Sequence, residues 1–151
     1  MSSIRLELRI YDLLLAQLEL FVQGLDVADY PNRIRVAIPN KEISSQDGIY
    51  LKASQVPAIT RGPTLETTRE FRGVFLVNIV TQRNTGLREA IKLGSAIVDF
   101  FYDDTQANVF FDEDIAPPLK IKIDRQPNIR PPLYESKEVM VPVLINYHSL
   151  Y

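Results

Sequence analysis

Apolar and polar positions are most clearly ordered between Thr67 and Phe101, TTREFRGVFLVNIVTQRNTGLREAIKLGSAIVDFF, where a strand pattern runs through one turn into an amphipathic helix. Phe71, Phe75, Val77 and Ile79 fall on one side of the strand; Glu70, Arg72, Val74, Leu76, Asn78 and Val80 fall on the other. Its C-terminal half is therefore apolar on both sides, which predicts a central strand with a helix over one face and further material over the other. Asn84-Thr85-Gly86 supplies turn chemistry and a candidate helix cap. Leu87, Ala90, Ile91, Gly94, Ile97, Val98 and Phe101 then recur at i, i+3, i+4 and i+7, and Gly94 in that stripe predicts close approach of helix and sheet.

The N-terminal stretch carries two periodicities. Ile4, Leu6, Leu8 and Ile10 alternate like a strand, whereas Ile10, Leu13, Leu14, Leu18 and Phe21 recur at helical spacing. Its length favours a helix, begun at Ser2 or Ser3 and stopped at Gly24, with Leu15, Leu20 and Val22 widening the apolar face. Arg33 to Ile38 is a short strand candidate ended by Pro39, and Ile49 to Ala53 is another. The intervening Asn40 to Gly48 is polar, and Ser54 to Glu66, with Pro57, Gly62 and Pro63, reads as an irregular arm.

Beyond the helix, Asp103, Asp104, Asp112, Glu113 and Asp114 flank Val109-Phe110-Phe111. Leu119, Ile121 and Ile123 alternate with Lys120, Lys122 and Asp124 as a half-exposed strand. A proline-rich connector from Gln126 to Leu133 leads to a last strand through Val139, Val141, Val143, Ile145 and Tyr147, in which Pro142 predicts an edge or a bulge. The order helix, several strands, helix, two strands predicts an α+β fold: a mainly antiparallel sheet with two helices packed on one face. No internal repeat is visible, and the expected organisation is one domain over 1–151 with a long loop or arm at about 40–66.

Composition bounds the chemistry. A chain of 151 residues with 46% hydrophobic content can bury roughly 68–70% of its unfolded surface in one core. A net charge of −2 and scattered lysine and arginine give no bulk attraction to nucleic acid or an anionic membrane. Charged residues interrupt the N-terminal apolar run, so neither a signal-peptide core nor a membrane span fits, and the expected site of synthesis is a cytoplasm. With no cysteine and a single histidine, His148, thiolate chemistry, histidine-based triads and multi-histidine metal sites have too few residues. His148 reads as a solvated or hydrogen-bonded strand-end residue.

The acidic residues between Asp103 and Asp114 do not match a calcium loop and read as a solvated linker. Gly86 stands alone before its helix, without the glycine spacing of a phosphate loop. Arg61, Arg69, Arg72 and Arg83 are interleaved with Glu66, Glu70 and Glu89, a pattern that fits a salt-bridged surface or a charged subunit contact better than DNA readout. No catalytic, cofactor or metal residue stands out.

FRGVFLVNIVTQRNTGLREAIKLGSAIVDFF, preceded by GIYLKASQVPA and followed by KEVMVPVLINYHS, resembles the small tail-terminator proteins of long-tailed bacteriophages. That family has an N-terminal helix, a short strand, an edge-like strand carrying tube-side loops, a long glycine-bearing strand, a helix and a valine-rich closing strand with a proline. The segment from Asp103 to Pro118 departs from the pattern. The resemblance implies a non-enzymatic virion tail protein, assembled in the host cytoplasm. It implies a homo-oligomer, a hexameric ring that caps the completed tube, halts its polymerisation and presents the surface for head attachment. The implied partners are the tail tube protein and a head-completion or connector protein, with no cofactor, no sequence-specific nucleic acid and no membrane.

On the arm from Asn40 to Glu66 and just beyond it, Lys41, Glu42, Gln46, Arg61, Glu66 and Arg69 are the candidate subunit or tube contacts. Another head-to-tail connector ring, a monomeric adaptor and a small carboxylate enzyme are the competing readings.

Overall fold

The computed structural model describes residues 3–25, 34–37, 48–57, 70–83, 87–102, 109–112 and 119–150. In chain order these form α1 (Ser3–Gln23), β1 (Arg35–Ala37), β2 (Tyr50–Pro57), β3 (Glu70–Gln82), α2 (Arg88–Phe101), β4 (Val109–Asp112), β5 (Leu119–Ile123), β6 (Asn128–Ile129), β7 (Leu133–Tyr134) and β8 (Glu138–Leu150). The eight strands make one sheet in the order β1-β2-β3-β8-β5-β4, with β6 and β7 also paired to β8. All pairings are antiparallel except β1 with β2. The fold is α+β, with both helices on one face.

β3 is central, as its two-sided apolarity requires. It pairs with β8 from Glu70↔Leu150 to Gln82↔Glu138, and with β2 from Tyr50↔Val80 to Pro57↔Gly73. Directly opposed residues share a face, so Phe75, Val77 and Ile79 line up with Ile145, Val143 and Val141, all of them buried beneath the helices. Leu51 and Ala53 of β2 and Ile121 and Ile123 of β5 extend this floor. α1 lays Ile10, Leu14, Leu18 and Phe21 on it, and α2 adds Ala90, Leu93, Ile97, Val98 and Phe101. Burying one such large apolar side chain is worth roughly 1.5–3 kcal/mol, several times a residue's helix propensity, so tertiary packing rather than propensity holds α1 helical. Phe75 sits at the junction of the layers, with Tyr11 6.2 Å and Phe101 6.3 Å away between ring centroids.

Several expectations change. β2 runs to Pro57 instead of stopping at Ala53, because β3 offers it an unbroken partner as far as Gly73. Five strands follow α2 rather than two: β4 comes from the apolar triplet among the acids, and β6 and β7 come from the proline-rich connector. α2 begins after Leu87 without a side-chain cap, and residues 84–86 lie outside the described residues. Ile91, expected on the buried face, is 46% exposed, and Leu93 takes the core position. Leu20 likewise faces outward.

Pro142 lies inside a strand with partners on both sides, not at an edge. Its carbonyl accepts from the Arg130 N–H at 2.8 Å, so its missing donor also faces the side served by the short strands β6 and β7. The long ladder to β3 therefore loses nothing.

Two glycines are required by close approach. A Cβ on Gly73 would lie 2.5 Å from the Tyr147 hydroxyl and 3.0 Å from the Val56 carbonyl. A Cβ on Gly94 would meet Ile79 and Ile129 at 3.3 Å, the close contact of α2 with the sheet that its stripe predicted.

Two outcomes test this core. Phe75→Ala should destabilise by roughly 3–5 kcal/mol in denaturant unfolding, the cost of an aromatic cavity at a dry junction. Gly73→Ala should cost about 1–3 kcal/mol by overpacking, and less when Tyr147→Phe has already removed the hydroxyl.

Candidate interaction surface

The face of the sheet opposite the helices is built from the even-numbered residues of β2, β3, β5 and β8. Across it run rows set by the register: Lys52, Asn78 and Pro142; Ser54, Leu76 and Leu144; Val56, Val74 and Asn146; then Arg72, His148 and Lys122. Leu76, Leu144, Val74 and Met140 are half-buried, and Val56 is 55% exposed. Leu133, opposite Met140 on the same face, is 53% exposed. The result is an apolar centre with lysine or arginine at two borders, Lys52 on one and Arg72, Lys120 and Lys122 on the other. Aliphatic residues on a sheet face otherwise rich in charge are the composition of a protein contact.

A small second core anchors one end of this face. Val80 is fully buried with Ala37 and Tyr50, and Met140 packs against them. The Arg35 guanidinium lies 5.9 Å above the Tyr50 ring. Burial pushes the Tyr50 phenol above its ordinary value, and the charge of Glu138, with which it hydrogen-bonds, pushes it further; Glu135 adds to this and Arg35 opposes it.

At the opposite end an open cleft of about 370 Å³ lies between Arg72–Val74, Asn146–Tyr147 and Asp124–Arg125. It occurs where β5 leaves β8, with the Asp124 N–H donating to the Asn146 carbonyl at 3.0 Å. The Asp124 carboxylate accepts from His148 Nδ1, which matches the hydrogen-bonded strand-end reading of this histidine. Gln55 Nε2 donates to the Tyr147 hydroxyl on the helix side, fixing the ring over Gly73. These groups are engaged in holding strand ends together. None forms a nucleophile paired with a base, and among the described residues no group of three or more His, Cys, Asp or Glu is placed to hold a metal ion.

Lys41, Glu42, Gln46, Arg61, Glu66 and Arg69 all lie outside the described residues. Sequence reasoning passed over Lys52, Val56, Leu133, Leu144 and Lys122 as a surface. One signal was present: the apolar second side of β3, whose neighbours follow once register is known. Among the described residues no helix is long and apolar enough to cross a membrane.

A family model described as phage tail terminator protein matches residues 9–147. A solved structure of a protein without a descriptive name has a TM-score of 0.61 and 23% identity, covering 91% of this chain and 94% of that one, a likeness of fold. No curated protein matches the chain.

The Tyr50 environment has a testable sign. The folded-state value lies above the ordinary 10.0, so stability from the neutral phenol is intact below that pH and is lost as pH rises through the higher value. Tyrosinate absorbance should show late titration that Tyr50→Phe diminishes; an unchanged curve in the folded variant contradicts the assignment.

Proposed function

The chain belongs to the phage tail terminator family, whose model spans nearly all of it, and we propose that it works as a terminator by closing the end of the tail tube. As a member of that family it is a structural component of the virion tail. The finer reading is a homo-oligomeric ring, six-membered as the resemblance implies. One face imitates the next tube layer, and the other offers no further site for tube subunits. Capping by surface matching asks for binding surfaces and no reactive centre, and the match over residues 9–147 is the observation that carries it.

A closed ring needs two different patches on each subunit that fit each other. The segments on either side of β2, at about 40–47 with Lys41, Glu42 and Gln46 and at about 58–66 with Arg61 and Glu66, and Arg69 just past them, are proposed to reach a neighbouring subunit or the tube. The outer ring face is proposed to receive the head-completion or connector protein during assembly in the host cytoplasm.

Polymerising tube protein in the presence of this chain should give tubes that shorten as the chain is added, measured by electron microscopy. Unchanged lengths at excess chain would overturn the capping reading. Binding to a head connector without any effect on tubes would move the chain to another ring of the head-to-tail joint.

A further inference from the structure

α1 has a second side that the core does not use. Its buried residues, Ile10, Leu14, Leu18 and Phe21, lie on one side of the helix, and Leu8, Asp12, Ala16, Glu19 and Gln23 lie opposite, all exposed. This outer stripe is acidic at Asp12 and Glu19, small at Ala16 and apolar at Leu8, which is 58% exposed; Leu20 flanks it at 55%. The open face of the sheet has the complementary make-up, with lysines at its borders and Leu76 and Leu144 between them.

We propose that the outer stripe of α1 docks on the open sheet face of a second copy, making the head-to-tail contact of the ring. The inference rests on the ring reading above and names the two patches that meet. Charge favours helix on sheet, the pairing that brings Asp12 and Glu19 to Lys52 and Lys122.

Asp12 and Glu19 are about 10 Å apart along the helix axis. Lys52 and Lys122 are about 20 Å apart along the strands and, with β3 and β8 between them, about 14 Å across, so the contact asks both long lysine stems to reach inward toward the carboxylates. Ala16 lies between the two carboxylates, so the helix can come close to Leu76 and Leu144. The contact repeats between copies the helix-on-sheet layering that makes the domain core. Because the patches lie on opposite sides of one two-layer domain, the contact propagates from copy to copy.

Charge reversal gives a test with a distinctive pattern. One variant carries Asp12→Lys and Glu19→Lys; the other carries Lys52→Glu and Lys122→Glu. All four positions are exposed, so each variant should fold with nearly unchanged stability, checked by circular dichroism and thermal unfolding. Each alone should lose at least about tenfold in association by sedimentation velocity at low salt, and should fail to shorten tubes. Mixed in equal amounts they should recover both, because each reversed patch then finds its opposite on the other variant.

If the wild type caps tubes and folded single variants cap equally well, or if mixing restores nothing, the helix-on-sheet contact is overturned while the capping reading stands. If the wild type neither associates nor shortens tubes, the ring reading and this contact fall together.

Discussion

The ladder between β3 and β8 is the constraint on which the rest of this molecule depends. From Glu70↔Leu150 to Gln82↔Glu138 the two strands run side by side without a bulge, and the pairs Phe75↔Ile145, Val77↔Val143 and Ile79↔Val141 are apolar and face the helices. A slip of one residue would send Phe75, Val77 and Ile79 to the open side while Ile145, Val143 and Val141 stayed beneath the helices, so α1 and α2 would lose the centre of the floor they cover. The register is thus fixed by the whole set of buried pairs at once. β2 and β5 read their own register from these two strands, and the helices read their positions from the floor that results.

The residues that break local rules sit where this ladder leaves room for them. Gly73, a poor strand residue, is opposite Tyr147, whose ring and hydroxyl occupy the space that a side chain would need. Gly94, a poor helix residue, lets α2 come down onto Ile79 and Ile129. Pro142, which ought to interrupt a central strand, turns its missing donor toward the side where β8 is matched by fragments. Each exception relaxes a local preference in favour of closer packing or an uninterrupted main ladder.

The same architecture leaves two outward surfaces of different character. A helix whose inner side is buried shows an acidic outer side, and a sheet with one dry face shows lysines around an aliphatic centre on the other. The proposed ring contact uses both surfaces, since recognition between proteins is made by contact area and charge matching.

The sequence by itself determined a good part of this. Period and length marked α1, α2, β3, β5 and the centre of β8, since those segments carry their burial pattern within themselves. Scarcity of histidine and absence of cysteine removed whole classes of chemistry, and the resemblance that those segments carried led to the right family. The tertiary structure decided what depends on partners. β6 and β7 are two residues each and exist only because β8 offers them hydrogen bonds; β2 continues to Pro57 only because β3 lies beside it. Pro142 could be read as an edge residue until the sides of its strand were known. The open face was hidden for the same reason. Lys52, Leu76, Lys122 and Leu144 are spread along the chain from 52 to 144, and only cross-strand register, a long-range property no local window contains, brings them onto one surface.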